Sequence, residues 1–177
     1  RDYEPHKDVE SPNRNVSPLS SEINEDGKLL IGGCVLSELA QEYGTPLYVL
    51  DELSLRTACR AYQKALKKHY PAASLPLYAS KANSSLAISS LVSNEGFGLD
   101  AVSEGELITA LKGGVQGDKI VFHGNNKSDE ELDLAYKNNV IIVLDNYHDI
   151  ARLRSIASER NPAKLMLRFT PGIECHT

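Results

Sequence analysis

The 177-residue sequence predicts a parallel α/β fold of the (β/α)8-barrel kind, present here as about six of the eight strands. Three observations predict it. Six short apolar runs alternate with five amphipathic helical stretches, and strands joined by helical crossovers pair in parallel. The unit recurs at a near-regular spacing of roughly 20 to 30 residues. A doubly wound dinucleotide fold calls for G-x-G-x-x-G after its first strand, where this chain has Asp51-Glu52-Leu53.

Residues 1–28 are polar, carry Pro5, Pro12 and Pro18, and show no periodic apolar face; an arm or disordered lead is expected. Residues 29–46 hold a short strand, Leu29-Leu30-Ile31, closed by Gly32-Gly33. A helical turn or two follows from Ser37 to Tyr43, broken by Gly44-Thr45-Pro46. The barrel portion is expected over residues 47–177. Its first strand is Leu47-Tyr48-Val49-Leu50, after which Asp51 caps a helix to about Tyr70. Leu75 to Lys81 forms the second strand, and Asn83 or Ser84 caps a helix to about Asn94. The third strand, Phe97 to Val102, leads into a capping box of Ser103 and Glu106, on a helix ending at Gly113-Gly114. The fourth, Lys119 to His123, precedes a second capping box, Ser128 and Glu131. The fifth is Val140 to Leu144, with Asp145 or Asn146 capping a helix to about Arg160. The sixth, Leu165 to Thr170, is closed by Pro171-Gly172.

Hydrophobic residues make up 41% and charged residues 24%, as in a soluble globular protein with one core. A net charge of −5 gives no basic footprint for nucleic acid. The longest apolar run, Val140 to Leu144, is too short to cross a bilayer, so no membrane partner is expected. Cys34, Cys59 and Cys175 are odd in number and widely spaced, unlike a disulfide framework or a zinc site. Free thiols in a reducing compartment, and no metal, are expected.

In such a barrel, function gathers at the carboxyl ends of the strands. The residues closing them are Lys81, Asp100, His123, Asp145 and Arg168. By the two-residue period of a strand, Lys81 shares a face with Leu75, Leu77 and Ala79. Asp100 does so with Gly98 and Val102, His123 with Val121, and Arg168 with Met166. An amine held at an apolar rim loses some preference for its charged form and becomes a usable nucleophile and Schiff-base former. Lysine, aspartate, histidine and arginine together form a place able to bind an anionic, carbonyl-bearing molecule. Plainer readings stand beside this one. Lys81 ends a strand and snorkels into water. His123 is a satisfied loop histidine, Asp145 only a helix cap, and Asp100 with Arg168 an internal ion pair.

The same residues carry a resemblance. Tyr78-Ala79-Ser80-Lys81-Ala82-Asn83 resembles the Tyr-Ala-x-Lys-Ala-Asn motif of the fold-type III pyridoxal-phosphate decarboxylases. Several other stretches are similar to the diaminopimelate decarboxylase family: Gly44-Thr45-Pro46-Leu47-Tyr48-Val49, the run from Asp100 to Leu107, Gly124-Asn125-Asn126-Lys127-Ser128-Asp129, Arg168-Phe169-Thr170-Pro171-Gly172 and His176-Thr177. The resemblance runs from about Leu29 to the end. It implies that Lys81 is the catalytic lysine that bonds pyridoxal 5'-phosphate through its amine, with Asp100, Arg168 and His123 around the cofactor. It also implies decarboxylation of meso-2,6-diaminopimelate to L-lysine and CO2 by a cytoplasmic homodimer, or a plastid-stroma one in a plant. Alternatives are an ornithine or arginine decarboxylase, and a non-catalytic pyridoxal-phosphate-binding regulatory protein.

The chain departs from the family pattern at its end. The resemblance places the last two barrel strands, the C-terminal β domain, the phosphate-binding glycines and the partner-subunit residues beyond Thr177. The expectation is therefore an N-terminal portion that does not turn over substrate by itself.

Overall fold

A computed structural model of the chain describes residues 16–173. The chain divides into two compact units, Arg1–Lys64 and Ala65–Thr177. Cys175, His176 and Thr177 lie outside the described residues.

In the first unit, β1 (Glu22–Ile23), β2 (Leu29–Ile31) and β3 (Cys34–Val35) form an antiparallel meander. The two-residue turn between β2 and β3 needs positive φ at both positions, which Gly32 (60°) and Gly33 (78°) supply without a Cβ penalty. Helix α1 (Leu36–Tyr43) follows directly. Helix α2 (Glu52–His69) starts where expected, because the Asp51 carboxylate accepts from the backbone N–H of Ser54 at 3.1 Å. That carboxylate also accepts from the Ser20 hydroxyl at 2.7 Å, and Ser20 Oγ accepts from Gly32 N at 2.8 Å. The stretch expected as an arm is therefore structured at its end: Ser20 is tied to Asp51 and Glu22–Ile23 pairs in β1. Residues 1–15 lie outside the described part.

One expected strand does not form. Residues 47–50 have no regular structure, and Tyr48 is 97% exposed. An apolar run becomes a strand only when a neighbour takes up its backbone hydrogen bonds. Among the described residues none pairs with this run.

In the second unit, β4 (Leu77–Ala79), β5 (Gly98–Ala101), β6 (Ile120–Phe122), β7 (Ile141–Leu144) and β8 (Leu165–Leu167) form one parallel sheet. Helices α3 (Leu86–Asn94), α4 (Glu104–Lys112), α5 (Asp129–Lys137) and α6 (Tyr147–Ile156) are the crossovers. The strand order is β4-β5-β6-β7-β8, the order of the sequence itself. A doubly wound sheet reverses direction at a switch point; an order that only advances is the arc of a barrel.

Strand parity separates two faces. Leu99 and Ala101, Ile120 and Phe122, and Ile142 and Leu144 are buried in one cluster with Leu107 and Ala110 of α4, Leu132 and Ala135 of α5, and Leu153 of α6. That is the helix-covered face. The ladder Ala79–Asp100–Val121–Ile141 lies on the opposite face. Burying Phe122 alone contributes about 2 kcal/mol relative to leaving it exposed.

Candidate active site

Each crossover helix begins with a side-chain cap, so the chain turns sharply just past each strand end. Ser85 caps α3, Ser103 caps α4 and Asn146 caps α6. Ser128 and Glu131 form the full reciprocal capping box at α5. Asn146, not Asp145, accepts from Asp149 N at 2.9 Å, so the cap reading of Asp145 is corrected. Likewise Ser85, not Asn83 or Ser84, caps α3.

Lys81 is not on a strand. β4 stops at Ala79, and Ser80–Ala82 make a single 3-10 turn, on which Lys81 is exposed. The side chain of Ser80 anchors the start of the turn to its neighbours. Buried to 2% exposure, its hydroxyl lies 2.7 Å from both the Asp100 carbonyl on β5 and Glu106 Oε2 on α4. Glu106 Oε2 also accepts from Val102 N at 2.7 Å. The face-sharing argument for Lys81 therefore fails at its last step, although its position just past a carboxyl end holds.

Asp100 stands on the face away from the helices. His123 continues the β6 ladder by donating its N–H to the Ala101 carbonyl at 2.8 Å, and its Nε2 approaches Asp100 Oδ1 to 2.8 Å. The approach is close in distance but not aligned as a hydrogen bond. Oδ1 is buried with no hydrogen-bond partner, so the contact is electrostatic and depends on the charge of the imidazole. Burial raises the pKa of Asp100 above its ordinary 3.8, and Glu106 adds to this. The charges of His123 and Lys81 oppose the shift without cancelling it.

Arg168 continues the β8 ladder, donating its N–H to the Leu144 carbonyl at 3.1 Å. Its guanidinium, 62% exposed, reaches Asp145 Oδ1 at 3.5 Å. The plain reading in which Asp100 and Arg168 pair with each other is thus replaced: Asp100 faces His123 and Arg168 faces Asp145. Sequence reasoning missed three contributors. Ser80 and Glu106 were legible only as a motif filler and a capping residue. Lys127, quoted only within a motif of the resemblance, is 2% exposed and pairs with Asp149 Oδ2 at 2.9 Å.

A sequence-ordered parallel arc with an exposed lysine, a half-buried aspartate, a histidine and an arginine at its carboxyl ends defines the mouth of a (β/α)8-type domain. The profile of the pyridoxal-dependent decarboxylases, pyridoxal binding domain, matches residues 53–177, and the chain belongs to that family. It is 46% identical over 176 residues to a diaminopimelate decarboxylase of Synechocystis sp., covering 94% of this chain and 38% of that one. Its fold matches the crystal structure of the M. jannaschii diaminopimelate decarboxylase with a TM-score of 0.78, at 31% identity over 88% of this chain and 37% of that one. The Helicobacter pylori diaminopimelate decarboxylase, solved with L-lysine, matches with a TM-score of 0.69 at 33% identity, over 78% and 35% of the two chains. This chain thus spans a little over a third of the length of such relatives.

Proposed function

We propose that this chain supplies the lysine-bearing part of a pyridoxal-phosphate-dependent decarboxylase that converts meso-2,6-diaminopimelate to L-lysine and CO2. The observation that carries the reading is Lys81, an exposed primary amine beside a half-buried carboxylate at the carboxyl mouth of a barrel arc whose family binds pyridoxal. The relatives named diaminopimelate decarboxylase support the substrate.

The residues present fit the cofactor. Lys81 offers the amine that an aldehyde requires. Asp100 Oδ1 is a buried acceptor without a hydrogen bond, and such a group is costly unless a donor reaches it. Arg168 is a largely exposed cation suited to an anion. Lys81, Asp100, His123 and Arg168 would hold the group, which supplies an electron sink for the pair left behind when carbon dioxide departs. His123 Nε2 lies 2.8 Å from Asp100 Oδ1, and the Asp100 carboxylate is coupled by charge to Lys81, so the state of Asp100 alters the field at the amine. Residues 47–177 serve as the cofactor-binding portion, with residues 29–46 leading into it and residues 1–28 as a lead. The working form is a homodimer in the cytoplasm, or in the plastid stroma of a plant. No helix among the described residues is long and apolar enough to cross a membrane.

The test is chemical. Incubate the longest form that the transcript encodes with pyridoxal phosphate, reduce with borohydride and map the labelled peptide. The pyridoxyl group is expected on Lys81; finding it on Lys64, Lys67 or Lys127 overturns the assignment. Lysine release from meso-diaminopimelate, against amine release from ornithine or arginine, then decides the substrate.

A further inference from the structure

We propose that Lys127 is a positioning residue of this site: it steadies the Asp145 carboxylate, and through it the Arg168 guanidinium, and it fixes the loop that follows His123. The inference rests on the cofactor-binding reading above.

Lys127 lies in the loop between β6 and α5, one residue before the Ser128 cap. Its neighbours Asn125, Asn126 and Ser128 are polar, yet its own side chain is 1% exposed. Burying an ammonium is costly unless it is both paired and hydrogen-bonded. Lys127 meets both conditions. It donates to Asp149 Oδ2 at 2.9 Å and to the Gly124 carbonyl. Gly124 has a φ of 122°, in the left-handed half that glycine tolerates, so the loop curls back to present that carbonyl.

The third contact is of another kind. Asp145 Oδ2 is 3.8 Å from Lys127 Nζ, too far for a hydrogen bond, and that oxygen is buried with no hydrogen-bond partner. The field of Lys127 holds it rather than a bond. Asp149 cannot absorb all of that field, because its other oxygen is 2.8 Å from Arg152. Arg168, Asp145, Lys127, Asp149, Arg152 and Asp129 thus form a row of alternating charge, three cations and three carboxylates. Arg168 is the end of that row at the mouth and its exposed cation. While Lys127 takes up part of the Asp145 charge, Arg168 stays loosely held at 3.5 Å and free to meet an anion. With Lys127 neutralised, the buried Asp145 charge would have only Arg168, and the guanidinium would be drawn onto it and away from a ligand.

That argument fixes the direction of three effects. Titrate pyridoxal phosphate by absorbance in the longest form the transcript encodes, with a thermal melt run beside each titration. Lys127→Met should weaken binding roughly tenfold. Adding Asp145→Asn should recover most of that loss, because it removes the pull on Arg168. A role confined to folding would instead leave the double variant weaker still. Should Lys127→Met fail to fold, Asp145→Asn alone decides: it should bind pyridoxal phosphate tighter than the unsubstituted protein. Unchanged affinity in Lys127→Met, a loss that Asp145→Asn does not recover, or unchanged or weaker binding in Asp145→Asn alone overturns the assignment of Lys127. Absence of any pyridoxal phosphate band in the unsubstituted protein overturns the cofactor-binding reading itself.

Discussion

Ser80→Ala deletes one oxygen atom, yet it should matter out of proportion to its size. The Ser80 hydroxyl is buried and stands 2.7 Å from the Asp100 carbonyl and 2.7 Å from Glu106 Oε2. It has one proton for two acceptors, so the substitution removes one strong hydrogen bond, part of the time to a carboxylate. A hydrogen bond to a charged group contributes about 1.5–3 kcal/mol, and an acceptor left buried without a donor costs about 1–3 kcal/mol. Glu106 keeps its second donor, Val102 N, which limits the damage on that side. A net loss of about 2 kcal/mol results, a sizeable share of the roughly 5–15 kcal/mol that holds a domain together. The loss would be local as well as global, because Ser80 opens the 3-10 turn on which Lys81 rides.

Urea unfolding measures the global part, with the midpoint falling and the slope unchanged. A cycle with Glu106→Gln measures the specific part. If the two side chains act as one latch, the double variant should lose less than the two single losses added together, by about 1 kcal/mol. A Ser80→Ala loss under about 0.5 kcal/mol, or two losses that simply add, would refute the latch and leave the turn at Lys81 without this anchor.

Two further substitutions probe the frame around the site. Gly98→Ala would set a Cβ 2.1 Å from the Lys119 carbonyl oxygen and 2.7 Å from Leu77 Cδ2. Since backbone must then move, a loss of about 3 kcal/mol is expected in urea unfolding, and wild-type stability would contradict the β4-β5-β6 register. Asp51→Ala removes the α2 cap and the Ser20 tie together and should cost about 2 kcal/mol by the same measure. Burial pushes the Asp51 carboxyl upward, but the hydrogen bonds from Ser54 and Ser20 outweigh it and leave its pKa below the ordinary 3.8. Its contribution is therefore full above about pH 3.8 and is lost as pH falls through the lowered value. The alanine variant should show a shallower fall in stability below that pH; an identical acid limb would rule the contribution out.

Local signals in the sequence were honest about what local chemistry controls. Ser103 and Ser128 each accept from the backbone N–H three residues on, as their spacing implies. The reciprocal half of the Ser103 box does not form, because the Glu106 carboxylate is taken by Val102 N and Ser80. The Val102 contact is local, but nothing near Glu106 in the sequence announces the Ser80 contact, since Ser80 is 26 residues away. Residues 47–50 fail for a related reason: β-propensity describes fitness for a pleated surface, and a pairing partner must supply that surface. The ring of strand-end residues was legible because parallel strands with capped crossovers put every carboxyl end at one mouth. The partners within the ring were not. Whether Arg168 meets Asp100 or Asp145 depends on strand neighbourhood, and β8 lies beside β7, not β5.

The distribution of unmet hydrogen-bonding groups gives the site a physical signature independent of any motif. Among the described residues, the buried side-chain atoms without a hydrogen-bond partner are Asp100 Oδ1, Asp145 Oδ2 and Arg152 Nε. Asp100 is in β5 near its carboxyl end, Asp145 follows β7, and Arg152 joins Asp145 through Asp149 and Lys127. Each such atom costs of the order of 1–3 kcal/mol, more when charged. A chain free to minimise that cost would fill these positions with apolar side chains, as it does on the opposite, helix-covered face at Leu99, Ile120 and Ile142. Unmet carboxylate oxygens at the mouth agree with the proposed cofactor site, whose missing donors would arrive with the ligand. The same reasoning separates Lys81 from the other lysines. It is exposed and charge-coupled to Asp100, whereas Lys127 is buried against Asp149 and Asp145.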